Sequence, residues 1–210
     1  MKYVIRRYEI KICGFTRRED VLAAAGAGAD YAGFVLVPSS RRYVAPERLA
    51  ELTKNLPAHL RKVGVFADAS LENILASVNA GTLDIVQLHG NESPEYAERL
   101  RSEGLRVWKA AHLRRKTDVD FYADYPAERI VADAAEGGSG KRSSWELAAM
   151  LARRKCVMLA GGITPENAPE ALEKVNPAGL DLAGGVEDAP GIKSKEKITM
   201  LFNHIRETEQ

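Results

Sequence analysis

Two side chains able to transfer protons end separate apolar segments of this sequence. Cys13 ends the segment EIKIC, and Asp133 ends the segment RIVAD. A thiolate can take a proton from carbon, and a carboxylic acid can donate a proton to an oxygen atom. Each residue also has a simpler interpretation, because a lone cysteine is often a small buried apolar residue and an aspartate often caps a helix. If both side chains face one cavity, they predict acid–base chemistry.

Glycines follow three apolar segments in the second half of the chain. Because glycine has no side chain, its backbone amide can approach an anion closely. The start of a helix adds partial positive charge. We therefore predict that these loops bind phosphate. One glycine pair alone would fit a tight turn without a ligand, so the prediction depends on several pairs occurring together. The glycines are Gly138 and Gly140 in GGSG, Gly161 and Gly162 in AGG, and Gly184 and Gly185 in a second AGG.

The composition is that of an ordinary globular protein. The chain has 210 residues, 45% of them hydrophobic, and a formal net charge of +1. This charge favours neither nucleic acid nor a membrane as a partner, so we expect a small molecule. Two cysteines make no disulfide framework, and the sequence contains no signal-peptide pattern or membrane-spanning run, so we expect a cytoplasmic protein. Without zinc-ligand spacing or a P-loop, we expect neither a metal nor a cofactor.

Eight short apolar segments recur along the chain at intervals of mostly about 22 residues. Each is rich in Val, Ile, Leu or aromatic residues, and most lack a polar–apolar alternation, which is typical of strands buried on both faces. The segments are EIKIC at 9, YAGFVLV at 31, KVGVF at 62, DIVQL at 84, RVWKA at 106, RIVAD at 129, CVMLA at 156 and GLDLA at 179.

Helical patterns separate these segments. Proline or serine at the start and glycine after the end set most of their predicted bounds. The weakest pattern lies between Leu113 and Glu128, where few apolar positions are periodic. The other predicted helices are Arg18–Ala27, Pro46–Leu56, Leu71–Ala80, Pro94–Glu103, Ser144–Leu151, Pro165–Val175 and Lys193–Arg206.

Strands alternating with helices predict parallel pairing through right-handed crossovers. Near-constant spacing, and the lack of a glycine-rich dinucleotide turn after the first strand, favour a closed barrel over an open sheet. We predict a single (β/α)8-barrel domain over residues 1–210. In this fold the active site lies at the carboxyl ends of the strands, and phosphate binds the loops after strands seven and eight. Cys13, Asp133 and the glycine pairs fall at that end, whereas Cys156 opens its strand and faces the opposite end.

Seven motifs occur along the chain in the order KICGFT, GADYAGFVLVPSSRRYV, VGVFAD, VQLHG, GGSGK, LAGGITPEN and DLAGGVEDAPGIK. Together they resemble the phosphoribosylanthranilate isomerase family, and the resemblance covers essentially the whole chain from Glu9 onward. KICG alone is a weak signal, but the ordered set is highly specific. The resemblance implies a (β/α)8 barrel. It also implies an Amadori rearrangement in tryptophan biosynthesis, converting N-(5-phosphoribosyl)anthranilate to 1-(2-carboxyphenylamino)-1-deoxyribulose 5-phosphate.

The resemblance also implies roles for individual residues. Cys13 would be the general base and Asp133 the general acid. Arg42 would receive the anthranilate carboxylate, which suits the planar guanidinium fork. His89 either lines the pocket or serves as a structural hydrogen-bonding residue. Asp181 either orients Arg42 or lies beside the substrate amine, and the glycine loops after strands seven and eight would hold the phosphate.

One departure from the family pattern concerns the phosphate loop. The loop after strand eight usually reads DVSSGVE in the family, and here it reads DLAGGVE. The loss of two hydroxyl side chains predicts weaker or slightly shifted phosphate binding with the same reaction. Near the proposed base, Lys11 is a candidate cation for activating the thiol.

Two other functions stay open at this point. One is a phosphosugar aldolase or synthase, for which Lys109, at the predicted end of strand five, would supply the Schiff-base amine. The other is a catalytically silent phosphosugar-binding barrel, for which the altered eighth loop leaves room. The retention of Cys13 and Asp133 argues against the silent protein. The sequence is compatible with both a monomer and a homodimer.

Overall fold

Eight parallel strands close into a barrel in chain order, and the eighth pairs with the first to complete the closure. The computed structural model describes residues 8–79, 82–133 and 141–208, with the backbone alone for residues 79 and 141–144. This architecture confirms the predicted (β/α)8 fold. The strands are β1 (Glu9–Cys13), β2 (Tyr31–Val35), β3 (Arg61–Phe66), β4 (Ile85–Leu88), β5 (Val107–His112), β6 (Arg129–Asp133), β7 (Val157–Ala160) and β8 (Gly179–Leu182).

A helix follows each strand, and local sequence accounts for several of the helix ends. The first helix ends where Gly28 adopts a φ of 111° and its amide bonds to the oxygens of Ala24 and Ala25. The fourth begins where the Ser93 side chain accepts the amide of Tyr96. The helices are α1 (Arg18–Ala27), α2 (Pro46–Thr53), α3 (Leu71–Asn79), α4 (Pro94–Ser102), α5 (Lys116–Asp124), α6 (Lys141–Ala152), α7 (Ala168–Val175) and α8 (Lys195–Thr208).

Apolar and aromatic side chains fill the inside of the barrel. Trp108 is fully buried there, and its ring meets the ring of Tyr31 edge-on at 4.8 Å between centroids. Trp108 is therefore a core residue and not a stacking surface for a ligand. The inner cluster consists of Tyr31, Val63, Ile85, Trp108, Val131, Met158 and Ala160. A second and larger apolar layer contains residues from both the strands and the surrounding helices.

A short hairpin after β8 is absent from the sequence prediction. Gly184–Val186 form one 3-10 turn, after which β9 (Glu187–Ala189) pairs antiparallel with β10 (Ile192–Lys193). Gly191 lies between these strands with a φ of 84°, a conformation that favours glycine. Lys193, predicted to begin the last helix, therefore belongs to a strand. Among the described residues, no helix is both long enough and apolar enough to cross a membrane.

Candidate active site

Cys13 ends β1 at the end of the barrel where the strands finish, which we call the mouth. Its side chain is half-buried, and it lies beside Gly33 of β2, its register partner. A Cβ atom at Gly33 would stand 2.6 Å from the Cys13 sulfur, so a larger residue there would displace the thiol. Glycine at this position on β2 therefore makes the space that the sulfur occupies.

A buried ion pair lies one layer deeper in the barrel. The Lys11 Nζ donates to both carboxylate oxygens of Asp181, at 2.8 and 3.0 Å, and both side chains are almost fully buried. Burial alone would lower the pKa of Lys11, but its interactions with Asp181 and Cys13 outweigh this effect and raise the pKa. The predicted role of Asp181 in orienting Arg42 is wrong, because Asp181 bonds to Lys11 and Arg42 bonds elsewhere.

Arg42 forms a two-point ion pair with Glu187 across the mouth. Its Nε donates to Glu187 Oε1 at 2.8 Å, and its Nη2 donates to Oε2 at 2.5 Å. The same Oε1 atom accepts the Nζ of Lys193 at 2.7 Å. Burial would raise the pKa of Glu187, but hydrogen bonds from Arg42 and Lys193 prevail and lower it. Burial lowers the pKa of Lys193 despite this partner.

Glu187 and Lys193 were not identified as site residues from the sequence. Both lie in the motif DLAGGVEDAPGIK, but their two short strands are too brief to give a periodic signal. The useful signal was a pair of opposite charges that follow the eighth strand and flank a Pro-Gly turn. Such a turn can fold the chain back over the strand ends.

Two histidines and Asp133 occupy the other side of the mouth. His89 follows β4 and His112 ends β5, with ring centroids 6.1 Å apart. His112 is the register partner of Asp133, which ends β6. Desolvation and the positive charge of Lys11 lower the pKa of His89, so its ring is neutral near pH 7. The sequence prediction missed His112 because it ended strand five two residues too early, at Ala110.

Beneath His89 lies a buried glutamine. Gln87 Nε2 is 3.3 Å from the Nδ1 atom of His89. The Oε1 atom of Gln87 is buried and has no hydrogen-bond partner in the part of the chain that the structure describes. His89 therefore has a hydrogen-bonding neighbour below it while its ring remains exposed at the mouth.

Lys109 does not end its strand and is not directed into the barrel. It pairs in register with Leu88, which belongs to the outer apolar layer. Its Nζ donates to Glu92 Oε2 at 3.0 Å and to the Gly90 oxygen at 2.7 Å, and the side chain is buried. The position predicted for a Schiff-base lysine is therefore wrong, and the aldolase interpretation loses its candidate residue.

The glycine loops after β7 and β8 lie against each other. Gly161 and Gly162 have φ values of 83° and 67°, and the Asn167 side chain bonds to the Gly162 oxygen and the Thr164 amide. Gly185 follows Gly184 in the 3-10 turn, and a Cβ there would stand 1.9 Å from a backbone oxygen of the first loop. Close contact between the loops thus requires glycine at position 185. The predicted Gly138 and Gly140 lie outside the described residues.

The charges around Cys13 are unequal in number. Lys11, Arg42 and Lys193 all interact electrostatically with Cys13. They are paired with only two carboxylates, Asp181 and Glu187. Three cations against two anions leave one excess positive charge among these groups. Such an excess of positive charge attracts an anionic ligand.

Residues 10–204 match the family model of N-(5'-phosphoribosyl)anthranilate (PRA) isomerase. The chain belongs to this family. A relative from Syntrophus aciditrophicus, N-(5'-phosphoribosyl)anthranilate isomerase, is 40% identical over 212 residues, which cover 96% of this chain and 91% of the relative. The protein is therefore an isomerase of tryptophan biosynthesis.

Solved structures of phosphoribosylanthranilate isomerase share this barrel. The structure from Thermotoga maritima has a TM-score of 0.89 and 34% identity, covering 96% of this chain and all (100%) of that chain. A second structure of the enzyme contains reduced 1-(o-carboxyphenylamino)-1-deoxyribulose 5-phosphate. It has a TM-score of 0.86 and 33% identity, with coverage of 96% and 100%. Fold and family thus agree along nearly the full isomerase.

Proposed function

We propose that this isomerase performs the Amadori rearrangement with Cys13 as general base and Asp133 as general acid. The observation that carries the proposal is their placement in a member of this family. The two residues end β1 and β6 at the same mouth, with β7 and β8 between them on the shorter way around the barrel. Cys13 also interacts electrostatically with Lys11, Arg42 and Lys193.

In the first step the acid opens the sugar ring. Asp133 gives its proton to the ring oxygen of phosphoribosylanthranilate, and the bond between that oxygen and C1 breaks. The nitrogen lone pair forms a double bond to C1, which gives an iminium ion. This positive charge withdraws electrons from C2 and makes the hydrogen on C2 acidic, so a moderate base is strong enough to remove it.

In the second step the thiolate of Cys13 removes the proton from C2. The electrons of that bond form a C1–C2 double bond, and those of the iminium return to nitrogen, leaving an enolamine. A proton then adds to C1 as the C2 hydroxyl loses its own, which produces the ketone. Asp133 and Cys13 recover their starting protonation states if the same two groups carry this last exchange, so no proton is gained or lost overall.

The remaining site residues bind the two ends of the substrate. Arg42 receives the anthranilate carboxylate, for which its fork is suited. Backbone amides in the glycine loops at Gly161–Gly162 and Gly184–Gly185 hold the phosphate, together with the proposed contribution of Gly138 and Gly140. Binding at both ends would keep C2 beside the sulfur throughout the reaction. The reduced product found in the related structure is the ligand expected here.

His89 and Asp181 complete the proposed substrate contacts. His89 is exposed at the mouth, and its lowered pKa makes it a neutral hydrogen-bonding group near pH 7. Asp181 is buried and accepts a hydrogen bond from Lys11. We propose that the free face of His89 lines the aromatic end of the pocket, while Asp181 lies below the substrate amine and is held in place by Lys11.

The test is turnover of freshly formed phosphoribosylanthranilate, followed through the loss of anthranilate fluorescence without added metal. We expect Cys13→Ser and Asp133→Asn each to lower kcat by about 10²- to 10⁴-fold. Cys156→Ser is the matched thiol control, since Cys156 is exposed at the opposite end of the barrel, and it should keep full activity. If Cys13→Ser and Asp133→Asn both turn over normally, the assigned roles are wrong even though the reaction stands.

A further inference from the structure

We propose that Glu187 is a positioning residue that determines which edge of the Arg42 guanidinium meets the substrate carboxylate. The inference rests on the proposed role of Arg42 in binding that carboxylate. It adds a residue that does not touch the substrate but selects for its carboxyl group through a second side chain.

The first observation is that Glu187 uses one edge of Arg42 completely. Its two oxygens accept Nε and Nη2 of Arg42. A guanidinium group carries five N–H donors in a planar fork. With two of them used by Glu187, the two on Nη1 and the second one on Nη2 remain. These form a second edge, which can donate two parallel hydrogen bonds end-on to another carboxylate. Arg42 can therefore bind Glu187 and a ligand carboxylate simultaneously.

The second observation is that Glu187 is itself held rigidly. Its Oε1 accepts the Lys193 Nζ and, at 3.0 Å, the Gly191 amide. Its backbone oxygen accepts the Nζ of Lys197 on α8. The Glu187 side chain is only 4% exposed, whereas that of Arg42 is 25% exposed. A fixed buried acceptor thus holds a partly exposed arginine, and the exposed part of the arginine is available to a ligand.

The third observation places Arg42 beside the proposed base. A Cβ atom at Gly14 would stand 2.4 Å from Arg42 Cδ, so the arginine stem lies directly over the residue that follows Cys13. A Cβ atom at Gly184 would meet Arg42 Nη2 at 3.7 Å. Arg42 therefore spans from the end of β1 to the proposed phosphate loop after β8. A shift in its guanidinium would move the aromatic end of the substrate relative to the sulfur.

Positioning and simple electrostatics predict opposite results for Glu187→Gln. The substitution removes a negative charge next to Arg42 and Lys193, so a purely electrostatic role predicts tighter binding of an anionic ligand. It also breaks the two-point pair that orients the fork, so the positioning role predicts weaker binding of a carboxylate. Glu187→Asp keeps the charge but shortens the side chain by one methylene, and positioning predicts weaker binding for this variant as well.

The experiment measures Kd by calorimetry for two probes. One is reduced 1-(o-carboxyphenylamino)-1-deoxyribulose 5-phosphate, and the other is the same compound without its carboxyl group. We expect Glu187→Gln and Glu187→Asp to weaken binding of the first probe at least about tenfold and of the second by less than about twofold. Adding Glu187→Gln to Arg42→Met should cost little more than Arg42→Met alone, because the two residues act as one unit.

The matched control is Glu128→Gln. Glu128 makes the same two-point contact with the Nε and Nη2 atoms of Arg106, at the end of the barrel where the strands begin. Neither probe should bind this variant differently. Unchanged binding of the probe that lacks the carboxyl group shows that the Glu187 variants are folded.

Three results in the Glu187 variants would overturn the inference. These are equal weakening of both probes in the Glu187 variants, tighter binding of the first probe by Glu187→Gln, or no effect of either variant. If Arg42→Met itself leaves the first probe unaffected, the proposed role of Arg42 fails and the inference fails with it. If the wild-type enzyme does not turn over phosphoribosylanthranilate, the proposed function fails, whatever the binding data show.

Discussion

The two ends of the barrel use arginine–glutamate pairs with different results. At the end where the strands begin, which we call the floor, Arg129 pairs with both oxygens of Glu9. Its guanidinium carbon lies 5.5 Å from the centre of the Tyr31 ring and 5.2 Å from that of Trp108. At the mouth, Arg42 pairs with Glu187 and lies over glycines instead of aromatic rings.

Both regions contain an arginine–glutamate pair, so they differ in the surroundings of the pair and not in its residue types. At the floor Arg129 and Arg106 each pair with one carboxylate, and two aromatic rings fill the space beside Arg129. At the mouth the cations near Cys13 outnumber the carboxylates, and glycine at positions 14, 33 and 184 leaves room beside them. The binding proposed at the mouth would depend on this unbalanced charge and on the space that the glycines leave. The same ion pair without these features contributes only to structure.

The largest effect is expected at the buried Lys11–Asp181 ion pair, one layer below the mouth. Lys11→Met should lower the free energy of unfolding by about 3–5 kcal/mol, because it leaves the carboxylate of Asp181 buried without its partner. Replacing both residues, as Lys11→Met with Asp181→Leu, should restore most of the loss. Urea unfolding followed by circular dichroism measures the free energy of unfolding of the single and the double variant. A loss below about 1 kcal/mol in the single variant would mean that water reaches this pair.

A smaller effect is expected at the floor. Arg129→Met should cost about 1–3 kcal/mol of stability, since it removes the contacts with both rings and with Glu9. The kcat and KM values should stay within about twofold of the wild type. Arg106→Met, which breaks the more exposed pair with Glu128, is the control and should cost less than about 1 kcal/mol. A fall in activity without a fall in stability would give the floor a catalytic role.

In the proposed phosphate loop, a substitution is expected to improve substrate binding instead of weakening it. Gly184→Ser restores one hydroxyl of the family pattern. It should fit, because Gly184 does not have a positive φ and a Cβ there makes only ordinary contacts. We expect KM to fall by about fivefold, the equivalent of one added neutral hydrogen bond. Gly184→Ala adds the same carbon without the oxygen and should leave KM unchanged. Equal effects of serine and alanine would exclude a hydroxyl–phosphate contact.

The smallest expected difference is in the dependence of stability on pH. Hydrogen bonds from their arginine partners lower the folded-state pKa of both Glu187 and Glu128 below 4.5. Each glutamate therefore contributes stability above about pH 4.5, which is lost as the pH falls through the lowered folded-state value. Glu187→Gln should flatten this acid loss, and Glu128→Gln should flatten it less because that pair is more exposed. The measurement is the free energy of unfolding at a series of acid pH values. If both variants follow the wild-type curve, this pH prediction is wrong.

The sequence predicts the strands better than their ends and their side-chain partners. Apolar segments revealed all eight strands, because burial on both faces requires such segments. Strand five was predicted to end at Ala110, since Ala111 and His112 have no strong strand character, and His112 was missed for this reason. The β9–β10 hairpin was missed because two or three residues cannot show a period. Lys109 was misplaced because facing in or out of a barrel depends on register, which a short apolar run does not specify.

By itself, the sequence determined the repeated strand–helix order, the chemical groups at the strand ends and the motifs of the family. These depend on local hydrophobicity, turn-forming residues and side-chain type, which are all properties of short segments. Only the tertiary structure decided that Asp181 bonds to Lys11, that Arg42 bonds to Glu187 and that Lys109 faces away from the barrel interior. Closure of the barrel brings together residues as far apart in the chain as 11 and 181, and a partner at that distance is selected by packing geometry and not by neighbouring sequence.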